Sequence, residues 1–483
     1  MKFSNLNLFL QKFVFLISKN IYFLIFISIP FSAFCIIPLI FINLFLVAIL
    51  FQNLYLNRNT NTKYPFVALD ILIALSLTYM ILFLNDFIDT PTYLLAIPEL
   101  YLLLRFFMRK GKTTYLNNSK LAFLLLFLAF VFAWFSSGVL SYVTGYVTNI
   151  QNLFNQFGYF PISNPLYLIV DFLSVFATIT ASPWFMLEMG VWLGSLAFFR
   201  LVEVNKIENK VRIFLMILAY FVYSIWLPSF SPIANGVEYI PYMWFNGFGT
   251  YGPVEPSYLI DGILGTYIVT AILSFLFGSR QVCSVTCTAP FMLQGTFQDS
   301  MKKYNRISKL GKKTLTSKMS NFYKILMIII WGSLIIFAIL SYLNFEKIIN
   351  FTILGNDPTV FYSSLYFNVI WYLQFVTMPF LGNYSCVTSG LCAWGSFNQF
   401  FGYLGLFKLK VKDPKLCLNC RSVDCATACP VGLTDMRASF IKKGEFKAFK
   451  CVGVGDCIEA CPHDNIVTHD IRNIIQKFSR KFT

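Results

Sequence analysis

Long apolar stretches alternate with short basic loops along most of the chain. Runs of about 20 residues with almost no charge recur over roughly the first 400 positions, and each can cross a hydrocarbon core about 30 Å thick. Lys and Arg gather in alternate loops: Gly278–Asn321 holds eight, whereas Pro228–Pro256 holds none. Because basic loops stay in the cytoplasm, this pattern predicts a mainly α protein, a polytopic transmembrane helix bundle of about nine to eleven spans in the cell membrane.

The second half of the chain gives the clearer topology. Counting the alternation of its loops places everything after Phe380 on the cytoplasmic side, and the charge bias agrees. In the first half, Leu166–Phe199 is too long for one span, and we interpret it as one span plus a broken or re-entrant piece around Pro183. The spans predicted in the second half are at about Val211–Leu227, Tyr258–Phe277, Phe322–Leu343 and Ser363–Phe380.

Composition agrees with this class of protein. Of the 483 residues, 57% are hydrophobic and only 12% are charged, which excludes an ordinary soluble protein. The net charge of +16 belongs to the loops on one side of the membrane, so we expect no nucleic acid partner.

Cysteines concentrate near the C-terminal end of the sequence. Seven of the 12 fall within 45 residues, and both halves of this stretch close on Cys-x3-Cys-Pro. Thiolates this close in sequence can converge on one small inorganic core, which indicates iron–sulfur chemistry. The alternatives are a zinc ribbon, a disulfide framework, or a decayed domain that holds no metal. The cysteines are Cys417, Cys420, Cys425, Cys429, Cys451, Cys457 and Cys461.

This stretch resembles the bacterial two-cluster ferredoxins, in which the fourth cysteine of each motif serves the other cluster. The resemblance implies a small α+β domain at 411–470 that holds two clusters, [4Fe–4S] or [3Fe–4S]. It assigns Cys417, Cys420, Cys425 and Cys461 to the first cluster. It assigns Cys429, Cys451 and Cys457 to the second.

Two departures from that family affect the ligand sets. Four residues separate Cys420 from Cys425, as in seven-iron ferredoxins, where the second cysteine is not a ligand. Val454 stands where the second motif has its middle cysteine, which leaves three thiolates. Three suffice for a [3Fe–4S] core, or for a [4Fe–4S] core with another ligand. Asp456 and His463 are nearby candidates, but we interpret both as surface residues.

Two further cysteine pairs follow inward-running spans. Cys283 and Cys287 form one pair, and Cys386 and Cys392 form the other. The topology places both pairs on the cytoplasmic side, which predicts a third, four-thiolate cluster near the membrane surface. The alternative is that these are reduced thiols packed against small residues.

A helix bundle with two such loops before a ferredoxin domain resembles the membrane-bound polyferredoxins of the NapH, NosR and CcoG type. The resemblance implies a subunit of a quinol-linked oxidoreductase complex, and no stand-alone enzyme. It would pass electrons between the quinone pool and a redox partner in a respiratory complex, with the other subunits as partners. Supplying electrons for maturation of a metalloenzyme, or a structural anchor with a degenerate ferredoxin domain, are the alternatives. The implied domains are 1–210, N-terminal helices; 211–410, the electron-transfer bundle; 411–470, the ferredoxin-like domain; and 471–483, a basic tail.

The residue inventory narrows the chemistry further. With only two histidines, both beside the last motif, the bundle has no bis-histidine haem site, and no Cys-x-x-Cys-His attaches a c-type haem. No nucleotide-binding glycine motif occurs either. Iron–sulfur is therefore the one electron carrier that the sequence offers. Asp171 and Glu188, carboxylates in a predicted span, are our candidates for accepting a proton from quinol.

Overall fold

The structure, a computed structural model, describes 182–232, 267–287, 311–313, 315–353 and 384–482. It also describes isolated positions: 97, 100, 130, 133–134, 136–138, 140–141, 144–145, 179–180, 307 and 357–358. The chain forms two compact units, 1–115 with 124–146, and 116–123 with 147–483. In the first unit the described positions are mostly helical. The rest of the description concerns the second unit.

A helical hairpin opens the described part of the second unit. Helix α1, Pro183–Glu203, begins where the Ser182 hydroxyl accepts a hydrogen bond from the Phe185 N–H at 3.2 Å, with proline in the first turn. After a break at 204–206, helix α2, Ile207–Ala219, continues as a π-helix over Tyr220–Phe230. The hydroxyl of Tyr220 donates to the carbonyl of Met186 at 3.1 Å, so the two limbs lie antiparallel.

Three further helices pack beside one another through small and polar residues. Asn398 of helix α7, Ala393–Leu404, accepts a hydrogen bond from Ser274 of helix α3, Val269–Phe277, at 2.6 Å. Trp331 of helix α5, Tyr323–Phe345, donates a hydrogen bond to Ser396 of α7 at 3.0 Å. Such buried polar pairs are typical of helix contacts within membranes. The helices are α3, Val269–Phe277; α4, Leu315–Met319; α5, Tyr323–Phe345; α6, Ser385–Thr388; and α7, Ala393–Leu404, with a π-turn at Val282–Thr286 and 3-10 turns at Gly311–Lys313 and Ser320–Phe322.

Three stretches among the described residues are long and apolar enough to cross a membrane: Pro183–Val202, Ile207–Leu227 and Ser317–Phe345. The last is apolar yet mostly exposed, as a lipid-facing helix would be. The predicted break at Pro183 matches the start of α1, and α5 starts one residue after the predicted span. Helix α2 starts four residues before its predicted span, because the first turn carries polar residues that contact other elements. The span predicted at Ser363–Phe380 lies outside the described residues, as do 258–266.

A small α+β domain follows α7. Its antiparallel sheet has β1, Lys408–Val411, in the centre, between β2, Glu445–Phe446, and β3, Ile466–His469. Leu409 of the central strand pairs with Phe446 on one side and with Thr468 on the other. Phe440 and Met436 form its core with residues of the sheet. The elements are β1, Lys408–Val411; α8, Pro414–Asn419; α9, Asp424–Thr427; α10, Met436–Lys443; β2, Glu445–Phe446; α11, Asp456–Glu459; β3, Ile466–His469; and α12, Ile471–Phe482.

The close approach of α7 to the end of α3 depends on a glycine. A Cβ added at Gly402 would lie 2.6 Å from the backbone nitrogen of Ser279, whereas one added at Gly332 in α5 would meet no atom within 4 Å. We expect Gly402→Ala to lower the free energy of unfolding by about 1–3 kcal/mol, as overpacking does. The matched variant Gly332→Ala should leave it unchanged or raise it by up to about 1 kcal/mol.

Unfolding of the two variants in detergent, followed by circular dichroism, measures both values. Equal effects of the two substitutions would contradict the close α3–α7 contact.

Candidate metal centres

Four cysteines of the small domain line one small cavity, which we call the first thiol group. Cys417 lies in α8, Cys420 at its end, Cys425 in α9 and Cys461 after α11. The charge that each thiolate would carry acts on its neighbours in the group. The structure thus brings together the four residues assigned to the first cluster, including Cys420. That they ligate iron stays a prediction.

Two polar residues that the sequence reading missed hold this group in place. Asn465 is buried, and its side-chain Nδ2 donates to Cys417 Sγ at 3.3 Å and to the Asp413 carbonyl at 2.7 Å. The Arg437 guanidinium donates to the carbonyls of Cys417, Leu418 and Cys420. The signal for Asn465 was its place four residues after Cys461, where its backbone N–H also points at that sulfur, 3.4 Å away.

Cys429, Cys451 and Cys457 line a second small cavity together with Val454, and we call them the second thiol group. Burial raises the pKa of the Cys429 thiol to about 12 and that of Cys457 well above its usual range. Backbone N–H groups act in the opposite direction and lower the pKa of the Cys429 thiol, since the N–H of Leu433 points at Cys429 Sγ from 3.4 Å. A buried thiolate here therefore needs positive charge nearby, which a bound metal supplies.

The expectation that Asp456 is a surface residue is wrong. It opens α11, is only 6% exposed and lines the second cavity. Its burial could not be read from the motif because it follows from packing against the helical part, where its charge acts on Arg212. His463 is exposed, as expected, and lies at the first cavity, away from the second thiol group.

The cysteines of the two remaining pairs lie on elements that meet, because α7 contacts both α6 and the π-turn, and we call these four cysteines the third thiol group. Cys283 lies in the π-turn and Cys287 at its end, Cys386 in α6, and Cys392 caps α7, where its Sγ accepts from the Gly395 N–H at 3.1 Å. The other three charges all act on Cys283. That a third cluster occupies this group is a prediction.

The three thiol groups follow one another in space. Cys425 of the first group and Cys451 of the second pack against the same apolar core, which contains Cys457. Ser284, the neighbour of Cys283 in the third group, donates a hydrogen bond to the carbonyl of Val452, the neighbour of Cys451. The second group therefore lies between the other two and faces the helical part of the chain.

Hydrogen bonds to the loop that follows Cys451 hold the domain against the helices. The Ser279 hydroxyl donates to the Cys451 carbonyl at 2.6 Å, and the Ser284 hydroxyl donates to the Val452 carbonyl. On the α1–α2 side, Asn209 donates to the Gly455 carbonyl at 3.3 Å. The backbone on both sides of the second group is thereby tied to the membrane-side helices.

The donor sets fit iron–sulfur clusters better than single ions. Within the described ranges, no three Cys, His, Asp or Glu side chains are placed to hold one metal ion. A cluster asks for a different arrangement, because each thiolate binds its own iron. Backbone and amide N–H groups directed at Cys392, Cys417, Cys429 and Cys461 favour charged sulfur, which is how proteins hold clusters.

Of the two carboxylates proposed as proton acceptors, the structure describes the position of Glu188 but not that of Asp171. Glu188 is 2% exposed within α1, and Asp171 lies outside the described residues. A groove of about 910 Å³ lies elsewhere, between α2, α3 and the small domain. Its walls include Val211, Leu215 and Leu273, and its polar end holds Glu208, Arg280 and Arg472.

Comparison with known proteins gives one match. The model for a 4Fe-4S dicluster domain matches residues 409–462, which contain all seven cysteines of the first and second thiol groups. No curated protein and no solved structure matches the chain significantly. The match covers only the small domain, and it supports an iron–sulfur protein with a role in electron transfer.

Proposed function

We propose that the chain passes single electrons between the membrane quinone pool and a redox partner, as a subunit of a respiratory complex. The observation that carries the proposal is the order of the three thiol groups. The first and second groups share the core of the small domain, and the second meets the segment of the third through the hydrogen bonds from Ser279 and Ser284. Iron–sulfur clusters bound there would each accept and donate one electron. The cysteines of the three groups would hold them.

The protein's own residues set the environment of each group. Asn465 and Arg437 fix the first group, and N–H donors such as those of Leu433 and Gly395 point at sulfur in the others. Hydrogen bonds to sulfur favour the more negative, reduced state and so raise the reduction potential. Burial of the second group acts the other way, because it disfavours added negative charge.

The groove beside α2 is the proposed quinone site. Apolar walls suit an isoprenoid tail, and the charged end suits the polar ring. Gln281, Val285 and Thr286 also line the groove, and they flank Cys283 and Cys287 within the π-turn and at its ends. A quinone bound there would lie next to the third thiol group. Glu208, in the first turn of α2, is an acidic residue of the lining, and its carboxylate pairs with Arg280 and Arg472.

The side of the membrane is also a proposal. The break at 204–206, the segment of the π-turn and the end of α7 all contact the small domain, and the chain around the first two is rich in Lys and Arg. Basic loops mark the cytoplasmic side, so this arrangement supports a cytoplasmic ferredoxin-like domain on a multi-pass membrane protein.

The first test separates membrane electron transfer from the other functions. In anaerobically purified full-length protein, a quinol analogue should reduce the clusters of the small domain. Cys386→Ser should abolish this reduction and remove about four iron atoms per chain, while dithionite still reduces the remaining clusters. The matched control Cys35→Ser should behave as the wild type.

Optical spectra and iron analysis give both values. An iron content near zero in the wild type would leave only the function of a structural membrane anchor. Quinol reduction of the clusters that persists in Cys386→Ser would contradict the proposed electron route through the third thiol group.

A second prediction concerns the missing cysteine. Val454 lines the second cavity with three thiols, so Val454→Cys adds a fourth donor at that cavity. We expect the wild type to give the low-temperature EPR signal of an oxidised [3Fe–4S] core, and we expect the variant to lose it as a fourth iron binds.

Val423→Cys, at a half-exposed position of the first motif, is the matched control and should keep the signal. An oxidised-state spectrum that is unchanged in Val454→Cys would show that the ligands of the second group are assigned wrongly.

A third prediction concerns Asn465. Replacing it by Ala removes an N–H donor to Cys417 Sγ, which should lower the reduction potential of the first cluster by roughly 40 mV, about one hydrogen bond for a one-electron couple. Asn465→Asp, which adds negative charge, should lower the potential further. Potentiometric EPR measures the shift. Asn419→Ala, an exposed neighbour, should leave the potential unchanged.

A further inference from the structure

The last helix of the small domain, α12, has a composition unlike the rest of that domain. Over Ile471–Phe482 it carries four basic residues and no acidic one, and its apolar residues recur three and four positions apart. At helical spacing the apolar residues share one face and the basic residues occupy the opposite face and its borders. The apolar residues are Ile471, Ile474, Ile475, Phe478 and Phe482, and the basic ones are Arg472, Lys477, Arg480 and Lys481.

Beyond its first turn, the apolar face of α12 is not covered by the domain. Ile475 is 59% exposed and Phe478 is 60% exposed, and both lie on that face. By contrast, Asn473 and Gln476 of the polar face line the groove beside α2. The first turn of the helix thus packs Ile471 and Ile474 partly against the protein, whereas Ile475 and Phe478 further along the same face are left uncovered. A helix that packs on its own domain covers its apolar face along its length.

The start of α12 is fixed to the first turn of α2. Arg472 pairs with Glu208 at 3.4 Å and with Asp470 at 2.6 Å, and the Thr468 hydroxyl donates to the same Glu208. Helix α2 belongs to Ile207–Leu227, one of the stretches able to cross a membrane, and α12 therefore starts at the level where that stretch begins. Exposed Ile207 and Val211 of α2 line the groove next to α12, so apolar surface continues between them.

From these observations we propose that α12 lies in the headgroup layer of the membrane, with Ile475 and Phe478 inserted and with Lys477 and Arg480 bound to anionic phospholipids. A basic amphipathic helix of low overall hydrophobicity binds a lipid surface in this way. The charge favours lipid over a protein partner, because basic residues border the apolar face and no acid balances them in the helix. The inference rests on the proposed membrane placement of α2, and it does not depend on electron transfer.

Hydrogen–deuterium exchange of the full-length protein in nanodiscs tests the proposal. Discs of phosphatidylcholine alone are compared with discs that also contain phosphatidylglycerol. Amides of α12 should exchange roughly tenfold more slowly in the anionic discs, because each basic residue near such a surface contributes to binding. Lys477→Glu with Arg480→Glu should remove that difference. The matched control, Lys442→Glu with Lys443→Glu on exposed α10, should retain it.

Two further exchange measurements test the insertion of the apolar face of α12 and the membrane placement of α2. Ile475→Ser with Phe478→Ser should speed α12 exchange in both kinds of disc, while amides of Ile207–Leu227 stay slow in every variant. Fast exchange in Ile207–Leu227 would overturn the membrane placement itself. Slow exchange there, with α12 exchange equal in both lipids and in detergent, would overturn the proposal for α12 alone. Protection of α12 that rises with protein concentration would show that a second copy covers the face, and would also overturn it.

Discussion

The cost of burying sulfur charge away from water is the constraint on which the rest of the structure depends. Cys429 and Cys457 lie where a thiolate is strongly disfavoured, and the N–H groups directed at sulfur offset only part of that cost. Positive charge from bound iron would offset the remainder. This requirement explains why short loops, helix starts and a buried amide all point at cysteine in the small domain, where few other polar groups are buried.

The same constraint shapes the contact between the small domain and the helices. Ser279 and Ser284 come from the segment that also carries Cys283, and they bind carbonyls of the loop that begins at Cys451. Lys450 lies over the ring of Tyr323 at 3.7 Å, at the start of α5. The two hydroxyl groups fix the position of this loop, while Lys450 and Arg280 bring positive charge beside Cys451. The second and third thiol groups consequently face each other across a contact made of hydroxyl, carbonyl and aromatic groups.

The cysteines that line each cavity of the small domain are those that the ferredoxin resemblance assigned to one cluster, and that they ligate iron stays a prediction. The sequence could not predict Asn465, Arg437 or the burial of Asp456, since those depend on which surface the loop packs against. The start of α2 was also missed. Hydropathy counts Glu208 against a span, whereas in the structure its carboxylate pairs with Arg280 and Arg472. The four-residue spacing before Cys425 gave no hint that Cys420 would still line the first cavity.

The loop around Val454 has a consequence for how the domain can move. Gly453 and Gly455 both adopt positive φ, and an added Cβ would collide with Arg280 at the first and with Asn209 at the second. The peptide that carries Val454 in place of the motif's cysteine is thus in close contact with the helical part. Lifting the domain away would remove the partners of this loop and expose the second thiol group to solvent. The contact therefore fixes the small domain on the helices, so that a cluster held in the second group would stay at a constant distance from them.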